Sequence, residues 1–176
     1  MKYLQNKYLK LVVAALIVVW AVYQFVQGNI GNGIALILLS LFPVLLYFRN
    51  EFILLTFLRL RKQDFEGMEK WLSKIADPET ALLRKQQGYY NYMYGVIYTR
   101  KNLTQAEKYF RKALQLGLTM DYDKAMVKMS LAGIMIQKRK KREAQELLTE
   151  AKKLDKQNMM TEQIKMLQQQ LFLIRN

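Results

Sequence analysis

The chain has 176 residues, of which 24% are charged, and an excess of Lys and Arg over Asp and Glu gives it a formal net charge of +14. It contains no cysteine and no histidine. Disulfide and thiolate chemistry are therefore excluded, and the commonest general base and metal ligand are missing. We expect no catalytic residues, no metal, no cofactor and no enzymatic activity. The basic excess suits a domain held against an anionic membrane surface or one that binds acidic partners.

Residues 11–48 contain no Lys, Arg, Asp or Glu. The glycine- and asparagine-rich residues 27–33 divide this stretch, because both residue types favour turns and break helices. The two apolar segments, at about 9–26 and 30–48, each approach the roughly 20 residues that a helix needs to cross a bilayer. Pro43 is tolerated in a membrane helix. The pattern predicts a two-span transmembrane hairpin within residues 1–50.

The basic residues on either side of this stretch predict its orientation. Three lysines precede the first span, basic residues follow the second, and the turn between the spans is uncharged. By the positive-inside rule both termini are cytoplasmic. The compact hairpin suggests a bacterial cytoplasmic (inner) membrane. A signal peptide is one alternative, although no small-x-small cleavage site follows the first span. A pair of buried core helices is another, which the charge-free length disfavours.

Residues 51–176 show only helical signals and are predicted to form the cytoplasmic domain. Residues 51–62 are apolar on most sides and could continue the second span out of the bilayer. Apolar residues at helical spacing follow within 65–75. Asp77 and Pro78 then break this helix, with Asp77 a predicted cap for the helix that carries a cluster of tyrosines.

An internal repeat follows. Gly95, Ala106 and Ala113 recur as Gly133, Ala144 and Ala151, at a spacing of 38 residues each time. The same step backwards aligns Met68 with Ala106 and Leu72 with Phe110. A fixed period of this size is typical of a stacked helical array.

These residues resemble the tetratricopeptide repeat (TPR) family, whose pattern combines a small residue late in helix A with Ala, a large aromatic and Ala along helix B. Here it reads Gly95, Ala106, Phe110 and Ala113. The period departs from the usual value of about 34, and the first unit has Met68 and Ile75 in place of alanines. The resemblance implies an all-α fold: the hairpin, then a TPR-like α-solenoid of about three helix pairs (51–76, 80–116, 121–154) and a capping helix (158–175).

In the TPR family, helix A lines a concave groove that binds peptides or a partner's helix. Tyrosines beside a basic residue suit recognition, because they combine apolar area with a hydrogen-bonding tip. Five tyrosines cannot all face one way, and we expect Tyr94 and Tyr98 to lie in the core. The resemblance implies a partner-binding groove formed by Tyr89, Tyr92, Val96, Thr99, Arg100, Val127, Ser130, Ile134 and Gln137.

The basic run 138–142 falls at the turn between helices A and B of the third unit. It can be a solvated turn or a contact for anionic lipid head groups. A nucleic-acid contact is a third reading, but the run lacks interleaved aromatic residues and we do not expect nucleic acid as a partner. The candidate lipid contacts are Arg49, Arg59, Arg61, Lys62, Lys138, Arg139, Lys140, Lys141 and Arg142.

The sequence therefore predicts a membrane-tethered adaptor that binds a protein partner through the groove of its TPR-like domain. The alternative is a structural subunit of a membrane assembly, a homo-oligomer that associates through the hairpin and has no dedicated peptide-binding groove.

Overall fold

The computed structural model describes residues 7–48 and 50–173, in which ten helices are joined by turns and there is no strand. The helices of this part of the chain are α1 (Lys7–Val26), α2 (Ile30–Phe48), α3 (Glu51–Arg61), α4 (Phe65–Leu72), α5 (Pro78–Ala81), α6 (Arg84–Tyr98), α7 (Leu103–Leu116), α8 (Asp121–Gln137), α9 (Lys141–Leu154) and α10 (Thr161–Leu173). The expected all-α class is confirmed. The chain divides into two compact units, Met1–Gln86 and Gln87–Asn176, which we call unit 1 and unit 2.

In unit 1, α1 and α2 pack against each other, and we call them the apolar pair. The chain between them turns at Gly28, whose φ of +78° is a conformation that favours glycine. Small residues two turns apart form the buried side of both helices: Ala14 and Ala21 of α1, and Gly33 and Ser40 of α2. A Cβ atom on Gly33 would lie 2.7 Å from the ring of Phe25. The two helices therefore approach closely because their contacting residues are small.

The expectation that residues 51–62 continue the second span is wrong. Asn50 is buried and has extended backbone geometry, with ψ at 128°. Its side-chain oxygen accepts hydrogen bonds from the N–H groups of Phe52 and Ile53, at 3.0 and 3.4 Å. An Asn that caps the next helix in this way ends the preceding one. Helix α3 is therefore a separate element, and it packs on α4, where the rings of Phe52 and Trp71 are 6.2 Å apart.

Asp77 caps a helix as expected, but the helix is the single turn α5. Its carboxylate accepts from the N–H of Glu79 at 3.1 Å, and Pro78 occupies the first helical turn. The chain is extended again at Leu82 before α6 begins. The tyrosines lie on α6 and not on the helix that Asp77 caps.

The 38-residue period of the sequence recurs in the structure. Helices α4, α7 and α9 begin at residues 65, 103 and 141, each preceded by a capping position. The turns before α4 and α9 share one geometry, because Gln63 and Arg139 both have a φ near +56°. Counted from the start of each helix, buried side chains follow the same spacing, although Ile75 lies just beyond the end of α4: Met68, Leu72 and Ile75; Ala106, Phe110 and Ala113; Ala144, Leu148 and Ala151.

The two repeat glycines of unit 2 have different surroundings. A Cβ atom on Gly95 would lie 2.5 Å from the ring of Phe110, so α6 and α7 pack closely at this position. A Cβ atom on Gly133 would meet only Leu167, on α10, at 3.9 Å. The packing role expected for a glycine between helices A and B therefore applies to Gly95 and not to Gly133.

Helix α10 completes unit 2 and packs on α8 and α9. The carboxylate of Asp155, which is buried, accepts hydrogen bonds from the N–H groups of Met159 and Met160, at 3.0 and 2.8 Å. Ile164 and Leu171 are buried. The helix occupies most of the predicted capping segment, whose residues 174 and 175 lie outside the described part of the chain.

The glycine pair gives a matched test of this packing. Gly95→Ala should lower the free energy of unfolding by about 1–3 kcal/mol, because the added methyl group has no space beside Phe110. Gly133→Ala should raise it by up to about 1 kcal/mol, because alanine favours the helix and meets no close neighbour. Urea unfolding of the full-length protein in mild detergent, followed by circular dichroism, measures both. Equal effects of the two changes would contradict the assignment.

Candidate functional site

The structure buries three of the nine residues predicted to line a groove. Tyr92 is 4% exposed, Val127 is fully buried and Ile134 is 2% exposed. The ring of Tyr92 lies 6.3 Å from that of Phe110, and burial raises the pKa of its hydroxyl far above the ordinary value. Helix α8 is contacted by α7, α9 and α10. These helices leave no groove at the two α8 positions, so the prediction is wrong for all three residues.

The hydroxyl group of Tyr89, another predicted groove residue, makes hydrogen bonds within the fold. Its hydroxyl donates to a carboxylate oxygen of Asp123 at 2.5 Å and accepts from the N–H of Thr119 at 3.3 Å. Burial, followed by the hydrogen bond to the Asp123 carboxylate, raises the pKa of Tyr89. Asp123 is itself buried. The contact joins α6 to the start of α8, and no local pattern in the sequence predicts this pairing because 34 residues separate the two.

The remaining predicted groove residues are accessible. Val96 and Ser130 are half-buried on α6 and α8. Thr99 and Arg100 follow the last residue of α6, and Gln137 is the last residue of α8, and all three are exposed. We call Val96, Thr99, Arg100, Ser130 and Gln137 the accessible set.

Four tyrosines form a strip of half-buried rings across α6 and α7. Tyr94 and Tyr98 each stack on Tyr109, with ring centroids 5.3 Å apart, and Tyr90 lies 4.9 Å from Tyr94. Tyr94 and Tyr98 were expected in the core but are half-buried, and the buried tyrosine of α6 is Tyr92. The spacing of four residues along α6 signals that Tyr90, Tyr94 and Tyr98 share a face. The sequence spacing does not predict that Tyr109 joins them, because that contact depends on how α7 packs against α6.

The basic run 138–142 is tied into unit 2 by ion pairs. The Lys138 ammonium lies 2.7 Å from the carboxylate of Glu107, and Lys140 and Arg142 face Glu143 and Glu146 at 3.8 and 3.2 Å. Arg111 of α7 also binds both Glu107 and Glu143. Burial opposes ionisation of Glu107, but the hydrogen bonds from Lys138 and Arg111 outweigh it and lower the pKa of its carboxyl group. This network supplies stability that is lost as the pH falls through that lowered pKa.

Arg139 has a distinct backbone role within the run. It has a φ of +57°. Its N–H donates to the carbonyl of Ile136, and the N–H of Lys140 donates to that of Met135, at 3.0 and 2.9 Å. This is the Schellman arrangement that ends a helix and favours glycine. The arginine side chain is exposed at that turn.

In unit 1, the candidate lipid contacts lie at the end of α3. Arg59 pairs with the carboxylate of Asp64 at 3.0 Å. Arg61 and Lys62 are exposed. Arg49, also a candidate, lies outside the described residues.

The apolar pair exposes the large side chains that most folded proteins bury. Trp20 is 62% exposed, Leu38 63% and Phe42 62%. Within the described residues, one helix, Tyr8–Val26, is long and apolar enough to cross a membrane, and only 11% of its apolar window is buried. Ile30–Leu45 is a shorter apolar run. The low burial is unlike that of a core helix in a water-soluble protein.

Two polar contacts join the apolar pair to the helices that follow. The Lys10 ammonium lies 2.5 Å from the carboxylate of Glu51, the first residue of α3. The buried side chain of Gln86 donates to the carbonyl of Tyr47, near the end of α2, at 3.0 Å and accepts from the N–H of Leu83 at 2.9 Å. The start of α3 and the chain before α6 are therefore fixed to the charged end of the apolar pair.

No family model matches this chain, and no curated protein or solved structure is significantly similar to it. Among the described residues, no group of three or more acidic side chains is placed to hold a metal ion.

The Tyr89 contact makes a prediction for stability and its pH dependence. Tyr89→Phe should lower the free energy of unfolding at neutral pH by about 1.5 kcal/mol, because the Asp123 carboxylate loses a donor. The raised pKa of Tyr89 stabilises the fold fully below about pH 10 and progressively less as the pH rises through the folded pKa. The wild-type protein should therefore lose more stability than Tyr89→Phe above that pH.

Urea unfolding at neutral pH and above pH 10 measures both effects. Tyr122→Phe removes the hydroxyl of an exposed tyrosine next to Asp123 and serves as the control. Its expected change in the free energy of unfolding is within about 0.5 kcal/mol. Identical behaviour of the two variants would show that the Tyr89 contact contributes nothing.

The turn at Arg139 makes a separate prediction. Arg139→Gly should raise the free energy of unfolding by about 0.5–1 kcal/mol, because glycine adopts a positive φ without a steric cost. Arg139→Ala removes the same charge but keeps the Cβ atom, and should give no such gain. Thermal and urea unfolding of the two variants distinguish the backbone effect from the loss of charge, and an equal gain from both would contradict it.

Proposed function

We propose that this protein is a membrane-anchored, TPR-like adaptor, held in the membrane by a transmembrane hairpin made of α1 and α2, that binds a protein partner on the cytoplasmic side. The main observation in favour of a membrane anchor is that the apolar pair buries small residues and exposes large apolar ones. Alanine, glycine and serine are its buried residues, while Trp, Leu, Phe and Val side chains cover its outside. Lipid is the solvent in which this distribution is favourable, because small residues allow close helix packing and lipid tails accept the large ones.

The lengths and charges of the apolar pair support a span with both ends on one side. Helices of 20 and 19 residues are each about 30 Å long, which matches the hydrocarbon core. Lys7 and Lys10 lie at the start of α1, Arg61 and Lys62 follow α2, and the turn at Gly28 carries no charge. By the positive-inside rule both ends lie in the cytoplasm, and the compact hairpin favours a bacterial cell.

The adaptor role is supported by the recurring helices α4, α7 and α9, whose buried stripes share the 38-residue period. Stacked arrays of helix pairs, which the TPR resemblance implies, present extended surfaces to partners. The partner would contact the accessible set, which combines apolar, hydroxyl, amide and guanidinium groups. Arg100 supplies the positive charge for an acidic segment of that partner.

A structural subunit that self-associates through the apolar pair is the second candidate. The exposed large side chains of α1 and α2 favour it, because another copy could cover part of them within the bilayer. A multimeric mass of the full-length protein in mild detergent, together with the absence of any other partner, would support this candidate over the adaptor.

The absence of native cysteine allows a clean test of the membrane topology. Asn29→Cys, in the exposed turn of the apolar pair, should react with a membrane-impermeant maleimide in intact spheroplasts. Gln105→Cys, at an exposed position of α7, should react only after lysis. The reason is that the two positions lie on opposite sides of the bilayer. Reaction of both in intact spheroplasts, or release of the protein from membranes by alkaline carbonate, would overturn the anchor.

Photocrosslinking from position 137 tests the partner surface. A photoreactive residue in place of Gln137, in the native host, should capture one dominant protein, because this side chain belongs to the accessible set. Replacement of Lys152, an exposed residue of α9, serves as the control and should capture none. Arg100→Glu should reduce the adduct formed at 137, because it reverses the charge that the proposed acidic segment would meet, and the melting temperature of the variant shows whether its fold is retained. The same adducts from both positions would contradict the proposal.

A further inference from the structure

Helix α3 has an exposed face that neither the apolar pair nor the repeat pattern explains. Leu54 and Leu58, one turn apart, are 48% and 49% exposed. Ile53 and Thr56, on other sides of the helix, are buried. Helical geometry places Arg61 on the same face as the two leucines, with Lys62 beside it. This face therefore combines two large apolar side chains with two exposed basic residues.

Three observations indicate what covers this face. Helix α3 begins three residues after α2 ends, so its start cannot leave the end of the proposed span. The ion pair between Lys10 and Glu51, at 2.5 Å, holds the first turn of α3 beside the charged end of α1. Asn50 turns the chain at this point, so that α3 is not an extension of α2. The helix therefore starts at the depth where the apolar pair ends.

We infer that α3 is an interfacial helix: its Leu54 and Leu58 insert into the cytoplasmic lipid leaflet, and Arg61 and Lys62 contact anionic lipid head groups. The inference rests on the proposed membrane anchor and adds a second lipid contact to it. Amphipathic helices with leucines on one side and basic residues beside them bind at the boundary of head groups and acyl chains. Anionic lipids attract basic side chains at that depth. Arg59 has a smaller part, because it already pairs with Asp64.

The inference also sets the orientation of α3 relative to the membrane surface, because both leucines must lie at the same depth. Leu58 lies seven residues after Glu51, or about 11 Å further along the helix axis. A helix that stood upright would carry Leu58 out of the head-group layer, which is about 5–8 Å thick on each side of the bilayer. A helix that lies along the surface keeps Leu54 and Leu58 at the same depth as Glu51. The inference therefore requires shallow insertion of both leucines.

The test uses the full-length protein in vesicles of equimolar phosphatidylcholine and phosphatidylglycerol. Four single-cysteine variants, Leu38→Cys, Leu54→Cys, Leu58→Cys and Gln105→Cys, each carry an environment-sensitive fluorophore. Lipids with a spin label near the head group or near the end of the acyl chain quench fluorophores at shallow or deep positions. We expect deep quenching at position 38, shallow quenching at both 54 and 58, and no quenching at 105.

The outcomes separate this inference from the anchor. Deep quenching at 38 with 54 or 58 unquenched, as at 105, would overturn the interfacial helix and leave the anchor intact. An unquenched position 38 would overturn the anchor and the inference with it. Arg61→Glu with Lys62→Glu should abolish the increase in quenching at 58 that phosphatidylglycerol gives over phosphatidylcholine alone. An unchanged increase would overturn the head-group contact.

Discussion

The close contact between α1 and α2 through small side chains is the constraint on which unit 1 depends. Gly33 has no space for a Cβ atom beside the ring of Phe25, and Ala14, Ala21 and Ser40 complete the buried side. Helices that meet through such residues gain little from the hydrophobic effect, because few large apolar groups leave the solvent. Their stability must come from van der Waals packing and from a surrounding medium that accepts the large side chains. The lipid bilayer that we propose around the apolar pair is a medium of this kind.

Unit 2 is built on a different principle, in which α7 and α9 each bury one stripe of side chains. Phe110 is enclosed by Tyr92 and by the backbone at Gly95, while Leu148 occupies the equivalent position of the next repeat. Polar contacts between partly exposed side chains then hold neighbouring helices and turns together. Tyr89 bonds Asp123, Glu107 binds Lys138, and Asp155 caps the chain before α10. Much of the polar chemistry that suggests a binding site is therefore structural.

The charged groups divide between these structural contacts and exposed positions. In the run 138–142, Lys138, Lys140 and Arg142 face glutamates of unit 2, and Arg139 ends a helix. A contact of this run with lipid would have to compete with those ion pairs, which surface exposure makes individually weak. The exposed bases of α3 lie closer along the chain to the apolar pair. They are therefore the better candidates for head-group contacts.

The sequence by itself determined the helical class, the boundaries of the apolar segments and the 38-residue register, because hydrophobic periodicity and glycine-rich turns are local properties of the chain. It also predicted the cap at Asp77. It could not determine which faces of α6 and α8 are covered. Tyr92, Val127 and Ile134 became core residues because neighbouring helices pack over them, and Tyr89 gained Asp123 from 34 residues away. The sequence also allowed α2 to continue through Asn50, and only the structure shows that the Asn50 side chain caps a separate helix there.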